Sequence, residues 1–178
     1  MPKRNINDNT ILAHKLLHSF KSKRGNGGFM FLKMDMGKAF DRMEWNVLLA
    51  ILKKLGFSSS WISWIKICIS TLSFSILLNG SPFGFISPGR GLRQGDPLSP
   101  FLFILGSEVF SRLMFKEERN GSLHGLRIAR NCSIIHHLFF ADDLLIFGKA
   151  TITEASNIKS CLDKYSLQNN RGLVTCQF

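Results

Sequence analysis

Two aspartates stand side by side inside an otherwise apolar run, Ile134 to Phe147, IIHHLFFADDLLIF, and few arrangements tolerate that. Adjacent carboxylates repel, and desolvating them is costly unless a proton or a cation compensates. The β-prone residues on either side predict two short strands joined by a turn with the acids at its tip. Two readings stay open on spacing alone: a cation site at the end of a buried strand pair, or a solvent-exposed β-turn, where Asp is common. The chain has only seven Asp. A third, Asp35, ends the apolar run Phe29-Met30-Phe31-Leu32-Lys33-Met34, which reads as a buried strand. Brought to the same point, Asp35, Asp142 and Asp143 would form a hard-oxygen site for divalent ions such as Mg²⁺.

The rest of the chain supplies a frame for such a site. Apolar residues at helical spacing predict a helix from Asn5 to Phe20, followed by the basic, Gly-rich loop Lys21 to Gly28. Trp45, Leu48, Leu49 and Leu52 recur at i, i+3, i+4, i+7, with Lys53 and Lys54 before Gly56, predicting a helix over Glu44 to Leu55. A second helix covers Ser60 to Thr71. Phe74 to Leu78, Asn79-Gly80 and Phe83 to Ile86 read as a hairpin, because Asn-Gly accepts the positive φ angles of a tight turn. The loop GLRQGDPLSP then leads into a largely apolar helix from about Ser99 to Lys116, and another helix covers Thr153 to Tyr165. Ser166 to Phe178 shows no pattern.

Composition narrows the partners. With 45% hydrophobic residues and 16 Phe in 178 residues, the chain has material for a core, so disorder and collagen-like folds are excluded. Its 23 Lys and Arg against 12 Asp and Glu leave a formal charge of +11, which favours a polyanion, nucleic acid ahead of an anionic membrane. The longest weakly charged stretch, Phe57 to Leu78, carries Lys66 and eight Ser or Thr residues, which speaks against a membrane span. Four scattered cysteines without a CxxC pair predict free thiols and no disulfide-linked partner, and the N-terminus MPKRNINDNT has no apolar signal core. These features predict an intracellular protein, nuclear or cytoplasmic.

Three blocks in order, LKMDMGKAFDRMEW, GLRQGDPLSPFLFIL and LFFADDLLIF, resemble the palm of reverse transcriptases from non-LTR (LINE-like) retrotransposons, most closely those of plants. Arg4, Ile6, Asp8-Asn9 and Ala13-His14 are similar to the segment just upstream of that palm. The resemblance covers about residues 2 to 165. It implies an α+β fold: a polymerase palm whose antiparallel sheet has helices packed on one face, with fingers and thumb largely missing. Residues 1–28 would be the end of the fingers region, 29–165 the palm and 166–178 a degenerate or truncated tail.

The resemblance also implies roles. Asp35, Asp142 and Asp143 would be catalytic and hold Mg²⁺, or Mn²⁺ in its place, with the Met36 carbonyl helping one ion. Phe40 would be the steric gate against a 2′-hydroxyl, although by residue type a Phe here is more often core. Gln94 and Gly95 would line the nucleotide pocket, although a Gln in such a loop is more often a plain polar group. The implied partners are an RNA template, a DNA primer and deoxynucleoside triphosphates. The family's upstream fingers motifs and its downstream Ser-Gly-x-x-x-Asn-x-x-Lys-Ser stretch are not matched, and Lys15 stands where Glu is usual. The expectation is therefore a chain with weak or no polymerase activity of its own. A basic nucleic-acid-binding remnant without chemistry is the alternative, and a two-metal nuclease, which would need neither Phe40 nor the Gln94-Gly95 loop, is a third reading.

Overall fold

A computed structural model gives the fold, and it describes residues 6–22, 28–129, 132–140, 143–169 and 174–177. The elements, in order, are α1 (Ile6–Ser22), β1 (Phe29–Asp35), α2 (Trp45–Lys54), α3 (Ser59–Ser70), β2 (Phe74–Leu78), β3 (Ser81–Ile86), α4 (Ser99–Arg119), β4 (His137–Phe140), β5 (Asp143–Lys149), α5 (Ile152–Asn169) and β6 (Val174–Gln177). They fall into two compact units. One holds residues 1–37, 110–166 and 172–178, and the other 38–109 and 167–171. No helix among the described residues is long and apolar enough to cross a membrane.

The first unit is built on a four-stranded antiparallel sheet, ordered β4-β5-β1-β6. Side chains alternate along a strand, so each sheet face has its own set. On one face, Ala13 and Leu16 of α1 pack with Leu138 and Phe147, flanked by the partly buried Phe29, Phe31 and Leu145. On the other, Leu144 and Ile146 are buried, and Phe110 of α4 meets Phe139 of β4 and Tyr165 of α5 edge-on, at 5.8 and 5.5 Å. The α+β class and the antiparallel sheet are as the sequence implied. α4 and α5, the helices of the expected palm, lie on one face, and α1, from the segment expected to precede the palm, covers the other. The strands are apolar on both faces, and each apolar face must be covered.

The C-terminal segment also differs from expectation, because β6 adds to the sheet beside β1 where no pattern was legible. Its register against β1 shifts between Met34 and Asp35. α5 begins one residue before the expected Thr153 and runs on to Asn169, and Thr151 caps it by accepting from the Glu154 N–H (3.3 Å). The Glu154 carboxylate reaches back to accept from the Lys149 N–H (2.8 Å) and lies 2.7 Å from His124 Nδ1, so this buried acid is fully partnered.

In the second unit, Phe57 N–H donates to Leu52 C=O and Gly56 N–H to Lys53 C=O, closing α2 with Gly56 in the left-handed region (φ 89°). Ser58 caps α3 by accepting from the Trp61 N–H. Asn79 and Gly80, both at positive φ, make the turn between β2 and β3. Every residue of that hairpin is exposed, its aromatic and aliphatic side chains included. Asp96 organises the entry to α4, accepting from the Leu98 N–H and from the Ser99 hydroxyl.

A proton-ordered chain ties α4 to β4 in the first unit. His136 Nε2 lies 3.1 Å from Glu118, the Nδ1 atoms of His136 and His137 are 2.7 Å apart, and His137 Nε2 is 2.9 Å from the Ser111 hydroxyl. If Glu118 accepts from His136 Nε2–H, the neutral ring presents a lone pair at Nδ1. His137 then donates from Nδ1 and accepts from Ser111. Every polar atom is satisfied with both rings neutral, and charging both would set two N–H groups against each other. Burial, then the neighbouring His136, pushes the His137 pKa from its ordinary 6.5 down to about 3. Burial also lowers His136, with Glu118 acting in the opposite sense. A lowered histidine pKa means that the unfolded chain binds more protons below pH 6.5, so stability is fully present above that value and falls as the pH drops from 6.5 towards 3. Urea unfolding at a series of pH values is expected to show this decline, and His137→Gln should flatten it.

Candidate active site

Antiparallel pairing of β1 with β5 sets Asp35 directly opposite Asp143, Met34 opposite Leu144 and Lys33 opposite Leu145. Directly opposed residues share a face. Along β1 that face reads Phe29, Phe31, Lys33, Asp35, passing from the apolar contact with α1 to charge at the strand end. Like charges at such a position destabilise a ladder unless a cation offsets them. The Lys33 ammonium lies 3.2 Å from Asp143 Oδ2, across the diagonal of the pair. Asp35 is exposed and Asp143 half-buried, so solvent and solutes reach both acids. Met36 follows the strand with its side chain buried. Asp142 lies outside the described residues, and among those described no group of three His, Cys, Asp or Glu gathers as a metal site. Two opposed carboxylates that recruit an ammonium are nevertheless the hard-oxygen donors that a divalent ion would require.

The nucleotide-binding candidates Phe40, Gln94 and Gly95 belong to the second unit. The chain from Phe40 to Met43 runs beside Gly91 and Leu92: Leu92 N–H donates to Phe40 C=O (2.9 Å), Gly91 N–H to Met43 C=O (2.8 Å), and the Trp45 indole N–H to Gly91 C=O (2.6 Å). The half-buried Phe40 ring stacks on Phe103, with centroids 4.8 Å apart and planes 11° from parallel. Gln94 lines an open cleft of about 510 Å³ together with Asp41, Arg90, Arg93, Ile69 and Leu72 among others. Gly95 sits at φ 84° in the turn before α4, which a glycine accepts without strain.

Comparison with known proteins gives the family of the chain. Residues 1–171 match the family model described as reverse transcriptase (RNA-dependent DNA polymerase). The chain belongs to the reverse transcriptase family. Relatives of this reverse transcriptase chain include an R2 retrotransposable-element Pol polyprotein of Popillia japonica, 32% identical over 74% of the chain and 21% of that protein. A TX1 transposon protein of Xenopus laevis is 28% identical over 93% of the chain and 12% of its own length. An uncharacterized mitochondrial protein of Arabidopsis thaliana is 54% identical over 38% of the chain and 55% of that protein. The chain thus spans about half the length of the plant relative and about a fifth or less of the transposon proteins. The solved structure of apo telomerase from Candida tropicalis shares the fold, with a TM-score of 0.62 at 18% identity, over 94% of this chain and 32% of that one.

Three features of this reverse transcriptase chain went unassigned in the sequence. Lys33 was visible as one charge inside an apolar strand. Arg90, Arg93 and Asp41 gather at the cleft only through the pairing of Phe40–Met43 with Gly91–Leu92, which no local pattern announces. Gly91 itself is required twice over. It sits at φ 94°, and a Cβ there would lie 2.8 Å from the Asp41 carbonyl oxygen. Gly91→Ala is expected to cost about 2–4 kcal/mol, adding left-handed backbone strain to a backbone clash, and urea unfolding measures it.

Proposed function

We propose that this chain is the palm-centred part of a non-LTR retrotransposon reverse transcriptase, descended from an enzyme that extends a DNA primer on an RNA template. The observation that carries the reading is the face-to-face register of Asp35 and Asp143 at the ends of two paired strands. Asp35, Asp142 and Asp143, with the Met36 carbonyl, would hold the divalent ions, Mg²⁺ or Mn²⁺. Bound there, two such ions would lower the pKa of the primer 3′-hydroxyl and neutralise the leaving pyrophosphate. The three carboxylates would fix that charge where the primer 3′-oxygen bonds to the α-phosphorus of the incoming nucleotide and the bond to pyrophosphate breaks. Phe40 would exclude a 2′-hydroxyl by its bulk, which is specificity by repulsion, and its stack on Phe103 would keep the ring in one orientation. Gln94 and Gly95 would border the nucleotide, and the chain's surplus of positive charge would draw template and primer by their phosphates.

This chain alone is expected to show trace extension at most, because it spans about a fifth or less of the transposon proteins it matches and a primer-template duplex needs a longer grip. Primer extension on an RNA template with Mg²⁺ tests this: any trace should vanish in Asp35→Asn and Asp142→Asn. Robust extension abolished by Asp142→Asn would overturn the expected weakness and leave the catalytic assignment standing. Salt-dependent RNA binding that is unchanged by Asp35→Ala, with no extension under any metal, would favour a non-catalytic nucleic-acid-binding role instead.

A further inference from the structure

We propose that Lys33 is a positioning residue. It offsets part of the negative charge of the Asp35–Asp143 pair while no divalent ion is bound and competes with the ion for Asp143, so that it tunes the metal affinity of the site. The inference rests on the reading of these acids as metal ligands. Three observations carry it. First, Lys33 stands two residues before Asp35 on the same strand face, at a position whose predecessors on that face, Phe29 and Phe31, pack into the core. An apolar residue would continue that pattern. A lysine can lay its stem along the apolar surface and deliver its ammonium to the strand end.

Second, the ammonium reaches the acid that faces Asp35: Nζ is 3.2 Å from Asp143 Oδ2. The repulsion between the opposed carboxylates is thereby offset by a cation covalently tethered to the same sheet. Third, both partners are accessible, with side-chain exposures of 49% for Lys33 and 34% for Asp143. An exposed ion pair is weak, so an incoming divalent ion can displace the ammonium. A fully buried pair would hold the site shut. An ammonium and a divalent ion against one carboxylate oxygen repel each other, and the affinity of the site therefore includes the work of moving Lys33 aside.

The test is Mn²⁺ binding to the full chain, followed by calorimetry and by the spin-resonance signal of the free ion. Lys33→Met, which keeps the stem and removes the charge, is expected to bind Mn²⁺ about three- to tenfold more tightly than wild type. Lys33→Gln should reproduce the gain if the Met variant folds poorly, and Lys33→Arg, which retains the charge, should stay within about twofold of wild type. In EDTA, Lys33→Met should melt below wild type, and Mn²⁺ should recover more of its stability. Asp35→Asn serves as the check on the underlying reading and should weaken Mn²⁺ binding at least about tenfold, as expected on losing a charged ligand. Unchanged or weaker binding in Lys33→Met and Lys33→Gln, with Asp35→Asn still weakened, overturns the role of Lys33 and leaves the metal site standing. Wild-type binding that is absent, or indifferent to Asp35→Asn, overturns both.

Discussion

Opposed carboxylates on an antiparallel ladder persist only if the surrounding sheet holds its register against their repulsion, and the arrangement of the first unit follows from that requirement. Slipping β5 by one residue against β1 would send Asp143 to the opposite face and carry Leu144 and Ile146, now buried, out of their packing. The buried residues between the acids and the rest of the ladder thus enforce the pairing. The sheet continues beyond them on both sides, with β4 against β5 and β6 against β1, so neither acid-bearing strand is an edge. The register shift of β6 falls at Asp35, which is where a bulge would adjust the direction of the strand end. The Lys33 ammonium, 3.2 Å from Asp143, offsets part of that repulsion from within the same face.

The second unit solves a different problem: it must hold short loops in fixed shapes without a large sheet. It does so through backbone contact. Phe40 and Met43 each accept a hydrogen bond from the Gly91–Leu92 segment, and the Trp45 indole closes on the Gly91 carbonyl. Because Gly91 has no side chain, the two segments approach to within a distance that any Cβ would block. At Gly106 on α4 a Cβ would lie 2.5 Å from Met43 Cε, the mobile end of a side chain that could move aside, so the constraint there is softer. Gly91 sets how close the two segments come, and it lines the same cleft as Asp41, Arg90, Arg93 and Gln94.

Much of this was legible in the sequence for identifiable reasons. The hairpin was visible because Asn-Gly encodes its own turn, and α2 because heptad-like spacing and a terminal glycine agree. The strand ends bearing Asp35 and Asp143 were visible because acids are conspicuous against apolar runs. What escaped detection was non-local. β6 is four residues long and gains its stability only by pairing with a strand some 140 positions earlier. The side on which α1 packs could not be read from strands that are apolar on both faces. Nor does the local sequence show the surroundings of the two adjacent histidines: His136 is buried and His137 half-buried, with Ser111 and Glu118, both on α4, at their ring nitrogens.

The charge of the chain illustrates how local geometry overrides a global sum. A formal +11 attracts polyanions from a distance, but at physiological salt such fields fade within about 8–10 Å, so they say little about which small ion a particular cleft holds. At the strand ends the sign inverts, because two of only seven aspartates face each other across one rung of the ladder. A basic body lowers the cost of gathering those acids, and by the same field it opposes the approach of a divalent cation. A site in such a chain therefore needs carboxylates fixed by the backbone rather than carried on loops, since only close, preorganised oxygens outweigh the surrounding positive charge. Asp35 and Asp143 sit in register on paired strands, which is what the proposed site would require, with the Lys33 ammonium 3.2 Å from Asp143.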